Sequence, residues 1–388
     1  MATLRSFVRI ATDPIYEFKR RARRRAASVW RRQFWKTTFV GITGSHGKTT
    51  ATALLGAILS TSAPAYVRKG DNQTKTVART VFRTVPWYHR YCVQEISGER
   101  PMAIDESVDV FQPTVGIVTA ISGDHRKAFG SFEAIAAEKA KLVHRLPTDG
   151  LAVLNADDPL VAAMGAVCTC RVIYHGRAES ADLRLLSATS VWPGRLQLEV
   201  DYRGERFTVK TRLVGAHWAV SVMAALLTAL ELGVGASACL AVIEGFEPLF
   251  NRMSVHRTPQ RAWCVLDADK ASFYGIEACL GFLEEASAPR KTVVFGTIAD
   301  YAGASRSHYY KVARAALNKA DRVIFTGPNA SRVRRLAADE FAGRLFVIER
   351  PKDVVQILSD DAVADEIIYV KATRIDRLSR VVVPRRQR

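Results

Sequence analysis

The sequence predicts an α/β protein in two parts. One is a phosphate-loop-type central domain with a mostly parallel sheet and a small antiparallel β element. The other is a C-terminal Rossmann-like α/β domain. Three observations predict this. Residues 37–60 read as a short apolar strand, a glycine-bearing turn and an Ala-rich helix. From there to about residue 250, apolar strands alternate with amphipathic helices, the pattern of a parallel sheet covered by helices. Near residue 262 the alternation restarts and continues to residue 371. The expected divisions are a basic arm over 1–36, the central domain over 37–250 and the C-terminal domain over 251–388.

An apolar fraction of 48% with 24% charged residues excludes wholesale disorder and a collagen-like fibre. No apolar run reaches the length of a membrane-spanning helix. Cys168 and Cys170 form a C-x-C with no second pair or nearby histidine cluster, so a zinc site is not expected. The six cysteines read as reduced core thiols of a cytoplasmic protein.

The arm comes first in chain order. Lys and Arg exceed Asp and Glu by 18, and residues 1–36 alone hold eleven basic and two acidic residues. Leu4, Phe7, Val8 and Ala11 fall at helical spacing before Asp13-Pro14 interrupts them. Lys19, Arg20, Arg21, Arg23, Arg24 and Arg25 then form a dense cluster, and Trp30 and Phe34 make an i,i+4 aromatic pair. Three readings stand: a segment lying on an anionic membrane surface, a nucleic-acid contact (the weakest), and a solvated helix packed along the protein. The apolar core of a secretory signal is missing.

The phosphate loop follows. After the strand at 37–43 comes Gly44-Ser45-His46-Gly47-Lys48-Thr49-Thr50, then the helix. Glycines let backbone N–H groups approach phosphates closely, and the helix N-terminus adds partial positive charge. Lys48 supplies a full charge to the terminal phosphates, and the Thr49 hydroxyl can ligate Mg²⁺. The strict G-x4-G-K-[ST] spacing fails because residue 42 is Ile, leaving the shorter G-x-x-G-K-T.

Further along, residues 195–210 alternate with period two around Gly204, a β-hairpin signature. Beyond 262 the expected strands are 263–267, 292–296, 322–326, 345–348 and 367–371, separated by helices. No dinucleotide-binding glycine fingerprint accompanies them.

The segment Val40-Gly-Ile-Thr-Gly-Ser-His-Gly-Lys-Thr-Thr50 resembles the ATP-binding signature of the Mur ligase superfamily, and further motifs follow in that family's order. Glu95-Ile-Ser97 is similar to its Mg²⁺-binding strand end, and Gly123-Asp124-His125 to its Asp-His, whose His binds a second metal. Phe132–Ala140 resembles the helix of the folylpolyglutamate branch that carries a carbamylated lysine, which implies Lys139. Asn155-Ala-Asp157-Asp158-Pro159 and Gly215-Ala-His217 also match, with Trp218 where the family has Asn. Asn251-Arg252-Met253 resembles Gly-Arg-Met, and Asp267–Lys270 is a drifted form of a family box. Lys371-Ala-Thr-Arg374 looks like the Lys-Gly-Ser-Arg of the D-alanyl-D-alanine-adding branch. The resemblance spans residues 37–380. Only 36 residues precede the ATP-binding strand, too few for the UDP-sugar-binding domain of the peptidoglycan members. The carboxylate substrate is therefore expected to lack a UDP-sugar handle, as in folylpolyglutamate and poly-γ-glutamate ligases.

The resemblance implies an ATP-dependent ligase that activates a carboxylate as an acyl phosphate and joins it to an amino acid or other amine. Gly44, Ser45, His46, Gly47, Lys48, Thr49, Thr50, Asn155, Arg252 and Asp267 would bind ATP. Thr49 and Glu95 would hold one Mg²⁺, and His125 with a Lys139 carbamate a second. Lys48, Lys139, His125 and Arg252 would serve the transfer, while Lys371 and Arg374 would bind the second substrate. Asn72 is a weaker candidate on the adenine side. The site is expected at the carboxyl ends of the central-domain strands, in a cleft between the two domains. Lys139 in the bland reading is a surface helix lysine. A second reading of the whole chain is a degenerate relative that binds ATP or regulates a partner without ligase turnover, and it rests on Trp218 and the drifted box.

Overall fold

The computed structural model describes residues 14–70, 73–301 and 303–383; side-chain placement begins at Phe18 and omits Val381. The expected helical spacing over Leu4–Ala11 lies outside these residues. Among the described residues no helix is long and apolar enough to cross a membrane. All six cysteines are free thiols.

The chain divides into two compact units. The first takes in the described residues up to Ile121, then Phe132–Arg184 and Val220–Val242. Its sheet has the order β2 (Ala65–Arg68), β3 (Tyr91–Glu95), β1 (Thr38–Thr43), β4 (Val115–Val118), β5 (Leu151–Asn155), β6 (Arg171–Gly176) and β7 (Leu183–Thr189), and the neighbouring pairs run parallel. β1, β3, β4 and β5 are buried along nearly their whole length, which is why they read as continuous apolar runs. The strand order turns around β1, since β3 lies on one side and β4 on the other. In open parallel sheets such a reversal opens a crevice at the strands' carboxyl ends.

Helix α1 (Pro14–Arg31) packs on α3 (Thr74–Arg83) and α4 (Ala103–Phe111). Ala27 and Phe34 join Phe39, Val77, Val81, Ile104 and Phe111 in one core cluster. Phe34, expected beside Trp30 on an aromatic surface, is thus 2% exposed. Arg31 is also buried. It donates to the carbonyls of Phe111 (2.9 Å) and Gln112 (2.8 Å), with its guanidinium 3.7 Å from the Phe39 ring centre. Burial pushes its pKa down to about 10, so it stays charged at neutral pH. The arm's second half is therefore structural on its inner face. Helices α2 (Lys48–Leu59) and α5 (Phe132–His144) also belong to this unit.

The second unit comprises Ser122–Ser131, Leu185–Ala219 and the described residues from Ile243 onward. β7 crosses into it and is followed in the sheet order by β8 (Gln197–Tyr202) and β9 (Glu205–Lys210). β8 and β9 form the expected antiparallel hairpin, closed by Arg203 and Gly204, both at positive φ. The other sheet has the order β10 (Ser254–Arg257), β11 (Trp263–Asp267), β15 (Ile367–Lys371), β12 (Lys291–Phe295), β13 (Arg322–Thr326) and β14 (Leu345–Ile348). Only β10 is antiparallel. The last strand inserts between the first two parallel ones, a register that alternation along the chain does not reveal. An ion network supports it: Glu366, fully buried, accepts from Arg290, Arg322 and Thr292.

Candidate active site

In the first unit β1 delivers residues 44–47 to the head of α2. Gly44 has φ of 143°, and a Cβ there would lie 2.0 Å from Thr119 Oγ1. Gly47 has φ of 80°, and its Cβ would meet Ser221 Oγ at 2.6 Å. Both positions therefore need glycine. The loop is clamped from three sides. Ser45 N–H donates to Ala120 O (2.7 Å), Thr119 Oγ1 to His46 O (2.6 Å) and Ser221 Oγ to Gly47 O (3.1 Å). The Lys48 ammonium folds over the loop toward the carbonyls of Gly44 (2.6 Å) and Ser45 (3.2 Å). His46 is exposed, whereas Thr50 is buried in the helix.

Thr49 Oγ1 donates to Glu95 Oε2 at 2.9 Å, and the same oxygen accepts from Gly70 N–H at 2.8 Å. Two oxygens expected to hold one Mg²⁺ thus meet at the carboxyl ends of neighbouring strands, a donor set suited to a hard cation. Asn155, 3% exposed, gives its amide N–H to Thr119 O (3.0 Å) and accepts from Asp157 N–H (3.0 Å). Its side chain braces the strand behind the loop. Asn72 lies outside the described residues.

Lys139 is 1% exposed, so it is not the surface lysine that its charged neighbours suggest. Those neighbours are occupied otherwise. Glu138 accepts from the N–H groups of Ile104 (2.9 Å) and Met102 (3.2 Å) at the head of α4, and Lys141 bridges it to Asp105.

The second unit carries His125 at φ 58°, next to buried Asp124. Asp124, His125 and Asp300 bring ligand atoms within 4.8 Å of one another. Lys270 pairs with Asp124 and lies 3.1 Å from Asp300. Burial alone would lower the Lys270 pKa, but the two carboxylates outweigh it and hold it above the usual lysine value. Burial raises that of Asp300. The Gly-Asp-His turn signals Asp124 in the sequence, whereas Lys270 and Asp300 reach it only through the fold.

Asp267 and Lys371, which the resemblance gives to different substrates, pair with each other. Lys371 Nζ donates to Asp267 Oδ2 at 2.5 Å, and Tyr369 Oη donates to the same oxygen at 3.0 Å. Burial and that carboxylate raise the Tyr369 pKa well above its ordinary value. Arg252 and Arg374 converge on a residue that the sequence did not single out, Asp269. Trp218 is buried with its indole N–H unpartnered.

A groove in the first unit was also missed. Arg20, Arg24, Lys75, Arg100 and Glu99 line it together with Thr74 and Ser97; Arg24 and Arg100 pair with Glu106, and Ser97 is two residues beyond Glu95.

The family model "Mur ligase middle domain" matches residues 42–229, and "Mur ligase, glutamate ligase domain" matches residues 251–374. The chain is 27% identical over 315 residues to a UDP-N-acetylmuramoyl-tripeptide–D-alanyl-D-alanine ligase of Mycobacterium tuberculosis, covering 76% of this chain and 59% of that protein. It is 23% identical over 350 residues to the Bacillus subtilis protein of the same name, covering 89% and 75%. The chain thus spans about three fifths of the length of the mycobacterial relatives. Among solved structures, MurF from Acinetobacter baumannii superposes with a TM-score of 0.82 at 20% identity, over 93% of this chain and 79% of that one. MurF ligase from Thermotoga maritima in complex with ADP gives 0.77 at 20% identity, over 92% and 81%. With both domain models matched in order and the fold shared, this chain belongs to the Mur ligase family.

Proposed function

We propose that this chain is an ATP-dependent ligase that joins a carboxylate, activated as an acyl phosphate, to an amino acid or other amine, releasing ADP and phosphate. The observation that carries this is the clamped Gly44–Thr50 loop with the Thr49–Glu95 pair beside it. A carboxylate is a poor electrophile, and its approach to ATP is opposed by like charge. Fixed positive groups and metal ions must offset that repulsion.

In this reading the N–H groups of residues 44–49 and the Lys48 ammonium hold the phosphates, while Thr49 and Glu95 hold Mg²⁺. When bound, Mg²⁺ neutralises charge on the transferring phosphoryl group. His125 and a carbamate on Lys139 would hold a second ion. Arg252 would steady the acyl phosphate. Asp267 would serve the nucleotide through the pair that it makes with Lys371. Arg374 would meet the carboxylate of the incoming amino acid, with Asp269 fixing both arginines. Arg20 and Lys75 in the groove support an anionic first substrate, beside Arg24 and Arg100, which pair with Glu106. ATP use and six free thiols support a cytoplasmic location, and the basic arm adds a peripheral place at an anionic membrane surface.

The test is phosphate release by the full chain with ATP, Mg²⁺ and mixed candidate acids and amines, with amide products sought by mass spectrometry. Lys48→Ala should abolish turnover without unfolding the protein. Activity within tenfold of wild type, about 1.4 kcal/mol, is too small a loss for a lysine on the transferring phosphate. ATP binding with no release in any mixture would assign the non-catalytic role instead.

A further inference from the structure

Helix α1 has two faces of opposite character. Its inner face, with Ala27 and Arg31, is buried on the core. Its outer face carries Phe18, Ala22, Ala26 and Val29, spaced four, four and three residues apart, hence one stripe along the helix. All four are exposed, Phe18 at 72% and Val29 at 59%. Exposed arginines and lysines flank the stripe. At 100° per residue, Arg21, Arg25 and Arg32 fall on one side, and Lys19 and Arg23 on the other.

Trp30, on the Lys19 and Arg23 side of the helix, opens a second patch. It lines a shallow groove with Trp35, Trp87 and Tyr88, beside Lys36 and Arg90. Trp35 is 81% exposed, Trp87 83% and Tyr88 60%. The Lys36 ammonium lies 4.4 Å from the Trp35 ring centre. Residues 18–36 contain nine basic residues and no acidic one.

An apolar stripe between cationic flanks, continued by tryptophans and a tyrosine, matches the boundary between lipid headgroups and acyl chains. Single exposed apolar residues need no explanation, but an exposed aliphatic stripe and a cluster of exposed aromatic rings do. Charge chooses among occupants. A second copy would bring the same exposed cations, Lys19, Arg21, Arg23, Arg25 and Arg32, against these. A nucleic-acid backbone would pair with the arginines and lysines but offer no hydrocarbon to the exposed Phe18, Ala22, Ala26 and Val29 between them. An anionic bilayer satisfies both components, with phosphate headgroups for the flanks and hydrocarbon for the stripe.

We propose that the outer face of α1 and the Trp35–Trp87–Tyr88 patch together form a docking surface for an anionic phospholipid bilayer, on which α1 lies in the plane of the interface. This rests on the peripheral location proposed above and is independent of the ligase chemistry.

The experiment is co-sedimentation of the full chain with vesicles of phosphatidylglycerol and phosphatidylcholine, and with phosphatidylcholine alone. The variants are Phe18→Ser/Val29→Ser, Trp35→Ser/Trp87→Ser and Arg21→Glu/Arg25→Glu/Arg32→Glu, each checked for an unchanged circular-dichroism melt. Wild type should bind anionic vesicles at least tenfold more tightly than neutral ones. High salt should weaken binding by shortening the screening length, which is about 8 Å at physiological ionic strength. Each variant should lose at least tenfold. Tryptophan fluorescence should shift to the blue on binding, and less so in Trp35→Ser/Trp87→Ser. No binding by wild type would overturn the peripheral location and the surface together. Wild-type binding that every variant retains would keep the location but overturn the surface. Tighter binding to a single-stranded oligonucleotide than to vesicles, or a dimer dissolved by Phe18→Ser/Val29→Ser, would also overturn it.

Discussion

Replacing Gly44 by Ala tests how the phosphate loop is built. The backbone there has φ of 143°, where L-residues are strained, and the new methyl carbon would start 2.0 Å from Thr119 Oγ1 and 3.2 Å from the Ala120 backbone. Strain in a glycine-only region costs about 1–3 kcal/mol. Relieving the clash means moving the Thr119 hydroxyl, which donates to His46 O at 2.6 Å, and leaving that carbonyl unpaired costs about 1–3 kcal/mol more. A loss of roughly 3 kcal/mol in chemical denaturation is expected, with ADP affinity falling at least tenfold as the loop shifts. A double-mutant cycle isolates the cause. Thr119→Ala removes the atom that the methyl would strike, so the double variant should be more stable than the sum of the two singles predicts, by about 1 kcal/mol or more. Strict additivity, or a Gly44→Ala loss below about 0.5 kcal/mol, would refute this account of the loop.

Three further predictions follow from buried groups. Lys139→Ala should lose ligase activity, and formate or acetate should partly restore it by occupying the place of the carbamate oxygens; full activity without rescue would remove the second-metal proposal. His175 is 1% exposed, its Nε2 has no hydrogen-bond partner, and burial pushes its pKa down to about 3. The unfolded chain, with a histidine pKa of about 6.5, therefore binds the proton first as pH falls, and stability is complete above that value and declines below it, by about 2 kcal/mol at about pH 5. A His175→Phe variant should flatten the acid limb measured by denaturation between those values, and an unchanged limb would reject the assignment. Arg31→Ala should destabilise the first unit by about 2–4 kcal/mol, because two carbonyls at the end of α4 lose a charged donor and the Phe39 ring loses its cation; Arg31→Lys should rescue only partly, since a lysine lacks the planar fork. Urea titration of both variants checks this, and equal stability of all three proteins would contradict it.

Local chemistry made much of this protein legible along the chain. The apolar strand, the two glycines and Lys48-Thr49 could be read directly, because a phosphate loop is contiguous and its glycines answer a backbone requirement. The hairpin around Gly204 and the strands of the C-terminal sheet were readable for the same reason: periodicity and turn residues are local. Pairings across long sequence distances were not. Thr119 and Ser221 clamp the loop from positions far along the chain, and only packing brings them there. Lys139 reads as a surface residue beside Glu138 and Lys141, because a helix does not announce which neighbour its face will meet. Asp267 and Lys371 lie on strands made adjacent when β15 enters the sheet beside β11, a register that loop lengths and periodicity leave open. The arm shows the division most directly. Its charge and aromatic content are properties of the sequence, but the burial of Arg31 and Phe34 and the exposure of Phe18, Val29 and Trp35 were decided by which side of α1 met α3 and α4.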